Sequence, residues 1–495
     1  MSEEKSSYKQ IMKATSLFGG VQVFQIVIQI LKSKIIAILL GPAGMGIAGL
    51  LNTSIEFVTA LTSFGLGTSG IKSIAEANGS GNEERIGIIV KILRRCVWIT
   101  GILGMLVTIL FSPWLSQISF GNKDYTIAFI WLAITVILNQ LSTGQLVILQ
   151  GLRKYRYLAN ANLTGAIFGL IISLPLYYYF KTDGIVPAIV ACSIVNLVRS
   201  WYFGRKIKVQ DVVVTQEISL REAKLMFKLG FVISLSGIVG LASSYLIRIF
   251  ISNYGNINQV GLYSAAYTLL NTYVGLIFTA MGTDYFPRLS SNASDNNYCK
   301  KTVNEQAELT FLLLTPILLV FLVLTPVIIK ILFSNEFTII DKMLYFSIPG
   351  MLFRAASWSL SFIFVAKGNA KLFFYNELIA SIYILLLNIL GYYFAGLTGI
   401  GIAFTIGYII YFIHMSILSM KKYGVFLNHS SLKIFIVQLI ITIIVLVFSS
   451  LFTNYLRYVL CLPFLMFGII YSYKILDKKI TIKEFVLEII NKIKK

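Results

Sequence analysis

Residues 21–40 read Val-Gln-Val-Phe-Gln-Ile-Val-Ile-Gln-Ile-Leu-Lys-Ser-Lys-Ile-Ile-Ala-Ile-Leu-Leu. They lie in an apolar run from Ala14 to Leu40, long enough to cross the hydrocarbon core of a bilayer as a helix. The run nevertheless carries Gln22, Gln25, Gln29 and Lys32, spaced by three, four and three residues, which places all four along one helical face. A helix of membrane length with one polar stripe belongs in a bilayer, with that stripe turned to water or to other polar groups.

Outward from this stretch the same composition repeats. The chain has 495 residues, 57% hydrophobic and 13% charged, a balance outside that of soluble globular domains. Fourteen apolar spans follow one another. The first seven cover residues 14–40, 44–70, 87–111, 125–150, 157–180, 184–203 and 229–252. The second seven cover 260–286, 307–333, 343–366, 372–394, 399–420, 432–452 and 455–476. The prediction is an all-α, polytopic membrane protein of about fourteen transmembrane helices. The first span exceeds a signal-peptide core and no small-residue cleavage site follows it, so it is read as a mature helix.

A net charge of +21 raises the possibility of nucleic-acid binding, and the placement of the charges argues against it. With the N-terminus inside, 32 of the 42 Lys and Arg fall in cytoplasmic segments and five outside, namely Lys123, Lys181, Lys330, Lys342 and Arg457. This bias is the positive-inside rule, and it predicts both termini in the cytoplasm. The four cysteines have no paired spacing and the only histidines are His414 and His429, so no metal site, disulfide framework or cofactor is expected.

Laying the chain on itself with an offset of 215 brings Gly46 onto Gly261, Thr53 onto Thr268, Gly184 onto Gly399 and Ala188 onto Ala403. An even number of spans per repeat gives two parallel repeats about an axis normal to the membrane. The expected organisation is a six-helix lobe over 1–210, a second over 211–425, two additional helices over 426–476, and a basic amphipathic tail over 477–495 that lies on the inner leaflet. Residues 221–228 read as a short amphipathic helix in the connector, and the two additional spans carry almost no intramembrane polar residues.

With the cations assigned to the two sides set aside, those near span ends included, five remain within spans: Lys32, Lys34, Arg199, Arg248 and Arg354. Each costs about 2.5–3.5 kcal/mol at a helix centre, so they are expected to face a hydrated cavity, pair with acids or snorkel to an interface. The offset sets other polar residues opposite one another in the repeat: Glu56 with Asn271, Asn139 with Arg354, Arg199 with His414, and Asn162 with Glu377. Lys32, Arg248 and Arg354, with Arg199 behind them, outnumber Glu56 and Glu377, so the natural complement is an anion. Arginine suits phosphate because its planar fork bonds two oxygens at once. Gln22, Gln25, Gln29, Glu56, Asn139, Asn271, Glu377 and His414 complete the set as cavity-facing, coupling or helix-packing groups.

The Gly41-Pro-Ala-Gly-Met-Gly46 turn, Leu66-Gly-Thr-Ser-Gly-Ile-Lys72, Leu149-Gln-Gly-Leu-Arg-Lys154 and the Asn160-Ala-Asn162 helix start resemble the Wzx-type O-antigen and common-antigen flippases, in the superfamily that also holds multidrug exporters and lipid II flippases. The resemblance covers roughly residues 10–420. It implies two six-helix lobes forming a V, with a cationic cavity that opens alternately to each side. It implies as cargo an undecaprenyl-pyrophosphoryl oligosaccharide, carried across the bacterial cytoplasmic (inner) membrane, with membrane lipids and the polysaccharide polymerase and chain-length machinery as partners. Fourteen helices depart from the twelve usual in the O-antigen group and match the lipid II flippases, which keeps lipid II as an alternative cargo. A multidrug or cation exporter would want acids in the cavity. A glycan polymerase or ligase would need larger loops, and no GxxxxGK[ST] motif is present, so the chain is read as a transporter and not an enzyme.

Overall fold

Helices account for every regular element in a computed structural model of the chain, which describes residues 2–207, 209–452 and 455–480, without the side chains of 2–23, 232, 276, 280, 283, 284, 479 and 480. The side chain of Gln22 and the amphipathic tail beyond Ile480 therefore lie outside the described residues. The elements run α1 (Ser2–Ser63), α2 (Leu66–Gly79), α3 (Glu83–Leu110), α4 (Ser112–Phe120), α5 (Thr126–Gly151), α6 (Tyr155–Phe180), α7 (Ile185–Arg205), α8 (Gln216–Tyr254), α9 (Ile257–Tyr267), α10 (Leu276–Ser291), α11 (Asn296–Leu332), α12 (Asp341–Ala366), α13 (Ala370–Tyr423), α14 (His429–Leu451) and α15 (Tyr455–Ile480). The connector helix expected at 221–228 is the opening of α8 and runs on into the following span.

Among the described residues nine helices are long and apolar enough to cross a membrane, or ten if the pair α3–α4, bent by 64°, forms one broken span. This differs from the fourteen spans of the sequence, and the reason is continuity. At 1.5 Å per residue, the 54 residues of α13 would extend about 80 Å, well over twice the hydrocarbon thickness. The helix is broken at Ala395 and Gly396, the latter at φ 57°, ψ −141°. Helix α1 breaks likewise at Gly41, at φ 62°, ψ −166°. Glycine tolerates that conformation, and Pro42 follows in the first turn of the new segment, where its missing N–H costs nothing.

The offset of 215 reappears in the backbone. Helix α5 ends with Arg153 at φ 56° and α12 ends with Gly368 at φ 73°, positions 215 apart. At the first end Lys154 N donates to Leu149 O at 2.8 Å, and at the second Asn369 N donates to Phe364 O at 2.9 Å. These are matching left-handed C-caps. Lys181 (φ 51°) and Gly396 (φ 57°), again 215 apart, turn α6 into α7 and the first half of α13 into its second. Arginine and lysine hold a positive φ there, a sparsely populated conformation that costs about 1–3 kcal/mol at a non-glycine residue. The second half uses glycine at both places.

A third match is a direct contact. A Cβ on Gly46 would stand 2.1 Å from Ile257 O, one on Gly261 would stand 1.8 Å from Pro42 O, and one on Gly49 would stand 2.8 Å from Ser264 Oγ. Pro42 and Ile257, Gly46 and Gly261, and Gly49 and Ser264 are each 215 residues apart. Each partner thus contacts the mate of the residue that contacts it, the reciprocity of a local two-fold axis.

Contacts divide the chain into two units, one of Met1–Ser264 with Leu332–Ser334, the other of Ala265–Ile331 with Asn335–Lys495. Helix α8, which the repeat assigns to the second half, packs against α1, α2 and α3, so contacts and repeat divide the chain at different places. The first unit buries Leu51, Ile55, Phe129, Leu132, Tyr177 and Ile185 in one cluster and Ile74, Ile89, Leu93, Val147 and Met226 in another. The second buries Phe311, Leu318, Leu322, Ile348, Leu352 and Phe364.

The last two helices differ from expectation, because they dock through buried polar groups. Gln438 Nε2 donates to Ser472 Oγ at 2.8 Å, joining α14 to α15. Ser431 Oγ lies 2.8 Å from Asn304 Oδ1 and 3.0 Å from Glu308 Oε1 and donates to one of them, joining α14 to α11. Arg457, expected in an outer loop, is only 3% exposed; Nη1 donates to Tyr345 Oη and Nη2 to Leu322 O, both at 2.5 Å. A buried cation needs such partners, and Leu322 O needs a donor because the helical one would come from residue 326, which is proline.

Candidate functional site

In the first unit, Glu56 stands about two turns before the end of α1 with an exposed side chain, within electrostatic reach of Arg248 on α8. Arg248 is 6% exposed. Its Nη1 donates to Ser244 O at 2.8 Å and Ser244 Oγ at 2.5 Å, one turn back on the same helix, and its guanidinium carbon lies 5.3 Å from the Tyr263 ring centroid. The i−4 spacing makes this possible, since Ser244 and Arg248 share a face. Of the α1 stripe, Gln25 and Lys32 are half-buried and Gln29 is exposed. Phe24, Val27 and Leu31 on the same turns are exposed too, so this part of α1 presents polar and apolar groups alike.

Arg199 on α7 is held elsewhere. Its Nε donates to Thr164 Oγ1 at 2.8 Å, and its guanidinium lies 5.2–5.4 Å from the rings of Phe168, Tyr202 and Phe203. These contacts lock α6 to α7, and none is with Lys32, Glu56 or Arg248. Asn139 is half-buried, while its neighbour Gln140 is buried and donates to Thr100 Oγ1 at 3.0 Å.

In the second unit the predicted residues come together. Arg354, half-buried at the middle of α12, donates from Nη1 to Asn271 Oδ1 at 2.6 Å, and its guanidinium lies 5.3 Å from the Phe278 ring and 5.6 Å from the Tyr408 ring. Asn271 sits in a π-helical turn, Thr268–Val274, between α9 and α10, and its Nδ2 donates to Tyr267 O at 3.3 Å. Such wide turns recur where a helix aims a side chain for function. On α13, Tyr411 Oη donates to Glu377 Oε1. Tyr408 and Tyr383 both lie within electrostatic reach of that carboxylate. The Tyr383 ring meets the His414 ring edge-on at 6.5 Å, and His414 Nδ1 and Tyr383 Oη are buried with no hydrogen-bond partner among the described residues. A guanidinium with one amide partner and two aromatic faces retains donors for an anion, and a carboxylate beside tyrosines and a histidine can take up a proton or a small cation. No group of three or more His, Cys, Asp or Glu that could hold a metal occurs among the described residues.

Residues 35–341, more than half of the chain, match the family model described as polysaccharide biosynthesis protein. The chain belongs to the polysaccharide biosynthesis protein family. A Shigella flexneri protein whose name assigns it to O-antigen transport is 25% identical over 347 residues, which are 67% of this chain and 79% of that protein. Among solved structures, the lipid II flippase MurJ in an inward closed conformation is similar with a TM-score of 0.73 at 15% identity, over 94% of this chain and 99% of that one. An inward-facing MATE multidrug resistance transporter of the MOP superfamily is similar with a TM-score of 0.68 at 14% identity, over 83% of this chain and 98% of that one. These relatives of the polysaccharide biosynthesis chain are transporters and flippases, not enzymes, and the two solved structures establish its fold as theirs.

Sequence reasoning missed Tyr408, Tyr411 and Tyr383, which connect Arg354 to Glu377 and His414. In an apolar span tyrosine reads as bulk. The available signal was spacing, because Tyr408 and Tyr411 are three residues apart and share a helical face.

Proposed function

We propose that this chain is a flippase that moves an undecaprenyl-pyrophosphate-linked oligosaccharide from the cytoplasmic to the periplasmic leaflet of a bacterial inner membrane, with both termini cytoplasmic. The observation that carries the proposal is Arg354: a cation at mid-helix in a membrane-spanning segment, held by Asn271 and two aromatic faces with no carboxylate bonded to it among the described residues. The family, the O-antigen assignment of the Shigella relative and the excess of Lys32, Arg248 and Arg354 over Glu56 and Glu377 all favour an anionic lipid-linked glycan. In this reading the pyrophosphate is met by Arg354, the lobes follow the repeat at 1–210 and 211–425, and the lipid tail stays in the bilayer during alternating access. The tyrosines of α13 beside Arg354 meet sugar hydroxyls. Glu377, bonded to Tyr411, is where a proton or small cation binds if the cycle is ion-coupled.

The test is transport of a fluorescent undecaprenyl-pyrophosphoryl oligosaccharide in proteoliposomes, with lipid II and a cationic dye as competing cargoes. A charge-assisted hydrogen bond contributes about 1.5–3 kcal/mol, so Arg354→Ala should lower apparent affinity by about one to two decades in a folded protein. Normal transport by Arg354→Ala, Arg248→Ala and Lys32→Ala would make those charges structural. Faster movement of lipid II or of the dye would reassign the cargo.

A further inference from the structure

Near the basic end of the first half, α3, α5 and α7 enclose a cavity of about 280 Å³ lined by Arg94, Trp98, Gln145, Trp201 and Arg205. The Arg205 guanidinium stacks on the Trp201 ring at 3.7 Å. Arg94 is close enough to Arg205 for the two positive charges to repel each other, and neither forms an ion pair among the described residues. Two adjacent guanidiniums without a carboxylate are unfavourable alone and become favourable with a shared anion.

The surroundings specify what kind of anion. One side of the cavity continues along α3 and α7 into exposed Ile99, Ile102, Leu106, Ile194 and Val198, the apolar surface of a membrane-spanning helix. The other side leads to Lys91, Arg95 and Lys206. Trp98 and Trp201, 52% and 43% exposed, stand where that surface changes from apolar to basic, the level at which tryptophan gathers in a bilayer. A ligand fitted to this place has an anionic head and an apolar body. The cavity is small for an oligosaccharide and suits one phosphate with its glycerol. The arrangement is also outside the shared plan of the repeat: at an offset of 215, Leu309, Leu313, Ser416 and Met420 stand where the first half has Arg94, Trp98, Trp201 and Arg205.

We propose that the Arg94–Arg205 cavity is a binding site for the phosphate of an anionic glycerophospholipid of the inner leaflet. The full chain in detergent is titrated with phosphatidylglycerol and, separately, with zwitterionic phosphatidylcholine, and bound lipid is counted by native mass spectrometry. The wild type is expected to hold phosphatidylglycerol about tenfold more tightly than Arg94→Gln/Arg205→Gln, about 1.4 kcal/mol, with phosphatidylcholine binding the same in both. Arg94→Lys/Arg205→Lys should fall between them, because lysine keeps the charge and loses the fork. Equal phosphatidylglycerol binding by wild type and the glutamine variant overturns the proposal. Displacement of the lipid by millimolar inorganic phosphate overturns its lipid part and leaves a free-anion site. Should the glutamine variant fail to fold, the wild type decides: brominated phosphatidylglycerol must quench the fluorescence that Trp98→Phe/Trp201→Phe lacks, and absence of that quenching refutes the site. The readout is lipid binding, so it is independent of the cargo proposed above.

Discussion

Arg457 allows a sharp test of why the last two helices are held. Pro326 deprives Leu322 O of its helical donor, and Arg457 Nη2 supplies one from α15 at 2.5 Å. In the single variant Arg457→Ala, that buried carbonyl and Tyr345 Oη lose their partner. An unsatisfied buried acceptor costs about 1–3 kcal/mol, and a bond from a charged donor about 1.5–3 kcal/mol. Removing the cation also removes the cost of burying it, which offsets part of the loss. The expected net change is roughly 1–3 kcal/mol against docking of α15, within the range a single buried network supports.

The proline makes the reasoning refutable. In Pro326→Ala the N–H of residue 326 returns to Leu322 O, so Arg457→Ala in that background should cost about 1 kcal/mol less than in the wild type. The assay is a double-mutant cycle on the unfolding free energy in mixed detergent micelles, with hydrogen exchange of the α15 amides to localise the loss. Strict additivity of the two substitutions would mean that Leu322 O does not depend on Arg457, and the account of this contact would be wrong.

Three further outcomes are expected. Gly261→Ala must move its Cβ from 1.8 Å to the ~3.3 Å of an ordinary carbon–oxygen contact, parting two helices by roughly 1.5 Å at a cost of about 1–3 kcal/mol. Gly46→Ala should cost the same and the pair less than the sum, while Gly79→Ala, whose methyl meets nothing within 4 Å, should be neutral or mildly stabilising in thermal melts. Arg85→Ala breaks a 2.8 Å pair with Glu222 that is partly exposed on the arginine side, so a loss of no more than about 1 kcal/mol, shrinking with salt, should appear in the same melts. The Asp211 carboxyl, held below its ordinary range by the hydrogen bond and charge of Lys91, should keep the 209–214 segment on α3 above about pH 4 and release it only as pH falls through that lowered value. A spin label on Val213→Cys, in a background without the four native cysteines, should show no change of mobility between pH 5 and 7; a change there would point to another group.

How much of this was legible in the sequence depends on which physical quantity each residue reports. Glycines at a fixed offset were readable, because Gly184 and Gly399 both pack where only a hydrogen atom fits: their Cβ atoms would stand 2.2 Å from Leu176 O and 1.8 Å from Gly391 O. Breaks between adjoining apolar stretches were readable as well: α1 breaks at Gly41, between the stretches 14–40 and 44–70, and α13 at Ala395–Gly396, between 372–394 and 399–420. Arg457 was misread because a cation beside a short polar turn looks like a loop residue until the carbonyl left open by Pro326, 131 positions away, is seen opposite it. The meeting of Glu377 with Tyr411 was not readable, because a turn at Ala395–Gly396 tells that the two halves of α13 adjoin and not which of their residues face each other.

The repeat keeps its backbone and lets its polar side chains diverge, and this ranks the candidate cations. Arg248 and Arg354 are both intramembrane arginines beside an aromatic ring, but their attachments differ. Arg248 is almost wholly buried, bonded twice from one nitrogen to Ser244 on its own helix and drawn toward Glu56. Arg354 is half-buried, and the oxygen it bonds is an amide on another helix. An incoming anion must therefore compete with a carboxylate and with the helix itself for the first, and with a neutral amide for the second. Breaking a bond to a neutral acceptor costs less than separating opposite charges in a medium of low dielectric constant. Cargo affinity should accordingly fall further in Arg354→Ala than in Arg248→Ala, and Arg248→Ala should show more of its effect in stability, where an exposed but partnerless Glu56 carboxylate would be left within a membrane-spanning segment.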